Sequence, residues 1–209
     1  MRTWVEGAWA PPRSTEHARR TMPILPKQRD IFPDDLLDAG PGNTEVPAGT
    51  HWVAFYTLSR REKDLMRKLE AAGVPFYAPL VRRRLGSPGG RARSSYMPLF
   101  PGYVFSRVDD EQRRTALATN TVSRWIPVVD ERMLLDDLRA IKRLVDTERP
   151  LTPEARLEPG QTVRVRRGAL RGLEGTVVRR HGLERLVIAV RFLNQGASIE
   201  MEDIDLERL

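Results

Sequence analysis

Cysteine is absent from the 209 residues, which excludes disulfides, thiolate zinc sites and cysteine nucleophiles. The three histidines, His17, His51 and His181, stand far apart, and none has a neighbour at metal-ligand spacing. No stretch approaches the roughly 18 apolar residues that a membrane-crossing helix needs. The N-terminus shows no apolar core followed by a small-residue cleavage site, so a signal peptide is not expected. The adjacent acids Asp109-Asp110 and Asp136-Asp137 read as solvated helix starts, where carboxylates favour the dipole, rather than as a catalytic dyad. These absences lead us to expect a cytoplasmic, monomeric protein with no catalytic residue, no metal, no cofactor and no membrane partner.

What is present is charge, and it is placed unevenly. The chain holds 35 Lys+Arg against 28 Asp+Glu, a net +7. Residues 1–50 carry −1, residues 51–155 carry +6 and residues 156–209 carry +2. The excess is largely arginine, whose planar fork pairs with phosphate in two-point fashion. A local basic excess implies an anionic partner, nucleic acid or an acidic protein face, without choosing between them.

Residues 1–50 contain 7 of the 16 prolines, a density that removes backbone donors and breaks both periodicities. We read this stretch as a mostly disordered extension, with Ile31-Phe32-Pro33-Asp34-Asp35-Leu36-Leu37 as an apolar cluster inside it. The cluster either packs on its own domain, stays idle, or docks a partner. Order begins near His51. Trp52-Val53-Ala54-Phe55-Tyr56-Thr57 predicts a strand with Trp52 and Tyr56 on one face and Phe55 on the other. Ser59 with Glu62 three residues on predicts a capping box opening a helix whose stripe is Leu65, Met66, Leu69 and Ala72. Residues 75–81 read as one short edge strand.

Residues 82–93 carry Arg82, Arg83, Arg84, Arg91 and Arg93 around the turn-forming Gly86-Ser87-Pro88-Gly89-Gly90 and no acid, predicting an exposed basic hairpin loop. A strand over 102–108, a helix over 109–118 and a strand over 122–128 follow. Leu134, Leu135, Leu138, Ile141, Leu144 and Val145 then recur at helical spacing. The order β-α-β-β-α-β-α predicts an α+β domain over 51–148 with a mainly antiparallel sheet. Residues 149–156 read as a proline-stiffened linker. Residues 157–209 switch to short strands with glycine turns, predicting a small all-β barrel. Gly168, Gly172 and Gly175 are not a phosphate loop, because β-branched Thr176-Val177-Val178 follows them instead of a helix.

Two motifs tie these halves to a known family. Pro98-Leu99-Phe100-Pro101-Gly102-Tyr103-Val104-Phe105, with Trp52 on the first strand and Glu62 on the first helix, resembles the NGN domain of the NusG family. The pattern Gly-x-x-Val-x-Val-x-x-Gly-x-x-x-Gly-x-x-Gly, starting at Gly160, resembles the SH3-like KOW module. The resemblance covers residues 51–209. It implies a transcription elongation and antitermination factor that grips the clamp helices of RNA polymerase, reduces pausing and performs no chemistry. Position by position, the polymerase contact falls on Tyr56, Phe100, Pro101, Tyr103 and Phe105, with further polar contacts from Arg113 and Arg114. Alternate members of this set could instead fill the core, since Tyr103 and Phe105 share one strand face and Val104 takes the other. The arginines at 82, 83, 84, 91 and 93 would reach upstream or non-template DNA, or else only solubilise a loop.

The barrel's partner loop would be Phe192, Leu193 and Asn194, meeting Rho or a ribosomal protein. Phe192-Leu193-Asn194-Gln195 departs from the Ile-Phe-Gly-Arg of general factors and leans towards a specialised RfaH-like paralogue. The alternatives are a general factor coupled to Rho or the ribosome and, in a different class, a ribosome-associated RNA-binding KOW protein.

Overall fold

A computed structural model describes residues 27–38, 49–85, 93–180, 182–201 and 206–209. Its first sheet has five strands in the order β1-β3-β6-β2-β7. They are β1 (Ile31–Phe32), β2 (His51–Thr57), β3 (Phe76–Tyr77), β6 (Tyr103–Val108) and β7 (Val122–Pro127). All pairings are antiparallel, with β2 and β6 central. Alternation along β2 and β6 divides the core in two. Val53, Phe55, Val104 and Val108 meet helices α1 (Glu62–Ala71) and α2 (Asp110–Ala118) through Leu65, Met66, Leu69 and Ala116. Trp52, Ala54, Tyr77 and Phe105 meet α3 (Glu131–Val145) through Leu134, Leu138, Ile141 and Leu144 on the opposite face.

Residues 27–38 correct the expectation of a disordered extension. Ile31↔Tyr77 and Phe32↔Phe76 pair, making β1 an edge strand of the first sheet. Ile31, Leu36 and Leu37 are buried, and the Arg139 Nε–H donates to the Leu37 carbonyl at 2.6 Å. Proline density is no bar here, because an edge strand of two residues needs few ladder donors. Residues 1–26 and 39–48 lie outside the described residues.

The predicted capping box also gives way. Helix α1 starts at Glu62 behind Arg61, with no side-chain cap, and the Glu62 carboxylate turns inward. The capping box is instead on α2, where Asp109 accepts from the Gln112 N–H and Gln112 from the Asp109 N–H. Asp109-Asp110 thus does open a helix. Asp136 and Asp137 do not; Asp130 caps α3, and Asp137 is buried in mid-helix.

Residues 75–81 divide between β3 and the start of β4 (Leu80–Leu85), which pairs with β5 (Arg93–Pro98) as a separate hairpin. Residues 82–85 and 93 of the basic segment are therefore strand, and residues 86–92 lie outside the described residues.

The C-terminal sheet has six antiparallel strands in the order β13-β9-β10-β11-β12-β8. These are β8 (Thr152–Glu154), β9 (Gln161–Val165), β10 (Glu174–Arg180), β11 (Leu183–Val190), β12 (Gln195–Glu200) and β13 (Leu206–Arg208). Among the described residues the two outer strands do not pair, so the expected barrel is not closed. Strand β8 lies within the predicted linker. Gly175 is needed for close approach, since a Cβ there would sit 2.6 Å from the Val187 carbonyl oxygen. A 3-10 turn (Arg191–Leu193) between β11 and β12 packs on α3. One apolar cluster therefore runs from Trp52 and Phe105 through α3 to Leu186, Ile188 and Phe192.

Candidate functional site

The register Tyr56↔Tyr103 places two tyrosines side by side at one end of the first sheet, on the face that α3 covers further along. Their ring centroids lie 5.1 Å apart at 63°, an edge-on arrangement favoured by the ring quadrupoles. Both are half-buried. On the neighbouring strand, Arg124 faces Tyr56 in register, with its guanidinium carbon 5.0 Å from the Tyr56 ring centroid.

The turn before Tyr103 is held from three directions. The Glu62 carboxylate accepts the Gly102 N–H at 2.7 Å, the Gly102 carbonyl accepts the Thr57 N–H at 2.8 Å, and the Phe100 carbonyl accepts the Tyr103 N–H at 3.1 Å. Gly102 sits at φ +86°, and a Cβ on it would lie 2.9 Å from Tyr56 Cε2. Only glycine lets the turn close over the tyrosine ring. Beneath the turn, Phe100 and Phe105 pack edge to face at 6.3 Å and are 2% and 0% exposed, while Pro101 is exposed. Of the five residues expected to meet a partner, Tyr56, Pro101 and Tyr103 offer surface, and the two phenylalanines form the floor.

Residues 50–146, spanning this site and both faces of the first sheet, match the family model described as "Transcription termination factor nusG". This stretch is a NusG-family domain. The chain is also similar to the "Transcription termination/antitermination protein NusG" of Pseudomonas aeruginosa, 25% identical over 177 residues, which covers 76% of this chain and 98% of that relative. None of its described helices is long and apolar enough to cross a membrane.

The basic hairpin leaves the NusG-family domain at the same end as the tyrosine pair. Its base is stitched to the Gly102 turn by the Leu99 N–H donating to the Pro79 carbonyl at 2.8 Å. Arg82 and Arg83 are exposed on β4. Arg84 falls in β4 and Arg93 in β5, whereas Arg91 lies outside the described residues.

Arg113 and Arg114 belong elsewhere. Arg113 stacks over Trp125, 4.5 Å from its ring centroid, and pairs with Asp110 at 2.9 Å. Because Trp125 and Arg124 are consecutive on β7, this pair lies on the opposite sheet face from the tyrosines. Arg114 is exposed on α2.

The expected partner residues of the C-terminal sheet lie against the NusG-family domain. Phe192 and Leu193 are half-buried in the 3-10 turn beside α3, and Asn194, exposed, adopts the left-handed conformation at φ 52°. Arg191 fixes the turn: its Nη2 and Nε donate to Asp137 Oδ1 at 2.7 and 3.0 Å, and its N–H donates to Oδ2 at 2.8 Å. Hydrogen bonding to Asp137 raises the Arg191 pKa further above its ordinary value.

Sequence reasoning missed Glu62, Arg124 and Asp137 as placed groups. Glu62 and Gly102 are 40 residues apart, and Asp137 and Arg191 are 54 apart, so no local spacing reveals either contact. For Arg124 the strand register decides, and alternation within β7 does not supply it.

Proposed function

We propose that this chain is a transcription factor that docks on RNA polymerase through the surface around Tyr56, Pro101 and Tyr103, and that it acts by binding alone. The observation that carries the reading is the tyrosine pair itself. It is preorganised by Glu62 and Gly102, backed by Phe100 and Phe105, and half-open at the sheet's end. Rigid aromatic surface of this kind supplies contact area at small entropy cost. The family of residues 50–146 and the name of the Pseudomonas relative support the same reading.

In this reading the clamp-helix coiled coil lies across Tyr56, Pro101 and Tyr103, with Phe100 and Phe105 supporting them from below. Binding then favours the polymerase states that elongate, since a ligand shifts an equilibrium only by its differential affinity. Arg82, Arg83, Arg84, Arg91 and Arg93 reach upstream or non-template DNA phosphates from the adjoining hairpin. Arg113 and Arg114 supply further polar contacts to the polymerase. Phe192, Leu193 and Asn194 meet a second partner. The sequence Phe192-Leu193-Asn194-Gln195 supports a specialised paralogue that does not use Rho.

The test is capture of bacterial core RNA polymerase by the immobilised chain. Tyr56→Ala and Tyr103→Ala should each weaken capture about thirtyfold, the equivalent of about 2 kcal/mol per buried anchor. Undiminished capture by both variants, with circular dichroism showing them folded, sinks the proposal. Neutralising the five hairpin arginines should flatten the salt dependence of binding to the DNA-bearing complex. Robust retention of Rho by the wild-type chain overturns the specialised reading, and co-sedimentation with ribosomes in the absence of polymerase favours the RNA-binding alternative.

A further inference from the structure

Strand β8 is the part of the predicted linker that joins the C-terminal sheet, and its attachment is unusual. It pairs with β12 at the sheet's edge in the register Ser198↔Thr152, Ala197↔Pro153 and Gly196↔Glu154. Both of its polar side chains are gripped from the sheet. Arg185, 8% exposed, donates from Nη2 to Thr152 Oγ1, from Nε to Ser198 Oγ and from Nη1 to Glu200 Oε1, each at 2.9 Å. Ser198, fully buried, donates from Oγ to Glu154 Oε1 at 2.6 Å, and Arg180 approaches Glu154 Oε2 at 3.6 Å.

This attachment is specific and shallow at once. Three residues form the strand, and the central one is proline, which brings no ladder donor. When β8 leaves, Arg185 keeps Ser198 and Glu200 as partners, and Thr152 and Glu154 pass into water. Charged contacts of this kind come close to breaking even against solvent.

We propose that β8 is a detachable strap that sets how far the C-terminal sheet can range from the NusG-family domain. With β8 paired, the tether between α3 and the sheet is residues 146–151, a span of about 20 Å at full extension. With β8 released, the tether runs to β9 as residues 146–160 and reaches about 50 Å. The effective concentration of the sheet at α3 falls about fourfold on that lengthening, following the −3/2 power of tether length. The mechanism concerns reach and stands independently of what the tyrosine surface binds.

The full chain tests it by amide hydrogen exchange, in which the Arg191 N–H that donates to Asp137 reports how often the sheet leaves α3. Thr152→Val with Glu154→Ala removes both anchors from the strap and leaves the remaining five strands untouched. The expected result is at least tenfold faster exchange at Thr152 and Glu154 and about fourfold faster exchange at Arg191, with protection kept in β10 and β11. Adding Pro153→Cys and Ala197→Cys to that variant, the only cysteines in the chain, should restore the wild-type exchange at Arg191 once oxidised. Three outcomes overturn the proposal: exchange at the strap as slow as in the wild type, faster exchange at the strap with Arg191 unchanged, or protection lost across β10 and β11 along with the strap.

Discussion

Glu62 shows how one side chain can serve the surface without belonging to it. Its carboxylate is 8% exposed, and its partner is the peptide N–H of Gly102, directly below the tyrosine pair. A hydrogen bond from a neutral donor to a buried carboxylate is worth more than an ordinary one, and its loss strands the donor. Glu62→Ala should therefore lower the stability of the chain by about 2 kcal/mol, read as a shift of the urea midpoint. Glu62→Gln, which keeps an acceptor, should cost clearly less. If both variants unfold at the wild-type midpoint, the bond contributes nothing to holding the turn.

Among the elements, β1 and its following turn have the largest effect for their length. They bring Ile31, Leu36 and Leu37 into the cluster beneath α3, and Phe32 stacks on Phe76 with ring centroids 6.4 Å apart. Leu37 is 1% exposed; Leu37→Ala should cost about 3 kcal/mol, as truncation of a buried leucine does, visible as a fall in the thermal midpoint. A variant as stable as the wild type would mean that this segment rests on the domain without being part of it. The same element marks where reading the sequence stops short. Strand β2 was legible as a run of strand-forming residues, and helices α1 and α3 as apolar stripes at helical spacing. Strands β1 and β8 are two and three residues long beside prolines, too short for any period to show, and only their tertiary partners make them strands. The candidate surface was legible to the same degree. Alternation put Tyr103 and Phe105 on one face, but the burial of Phe105 and the exposure of Tyr103 depend on how far α3 extends across that face, which no residue of β6 encodes.

At the scale of the whole molecule, the two sheets share α3. The contact is pinned by the Asp137 carboxylate, 6% exposed, against Arg191, whose side chain is 55% exposed. Solvent screens the outer half of this pair, so its worth is below that of a fully buried one. Arg191→Ala should destabilise the chain by about 1–2 kcal/mol, because Asp137 then keeps the backbone N–H of residue 191 but loses the guanidinium. Asp137→Asn in the same background should recover part of that loss, and the four proteins together make a double-mutant cycle read by urea unfolding. Strict additivity of the two changes would show that the pair is not coupled.

The helix that both sheets lean on shows Arg132, Asp136 and Arg143 to solvent but turns apolar surface to β11 and the 3-10 turn. Cutting the chain after residue 148 to isolate the first module would bare the oily strip that β11 and the 3-10 turn now shelter, and such a piece should clump where the intact protein stays dispersed. Anything in the cell that draws the C-terminal sheet away must therefore bring its own replacement roof for that strip.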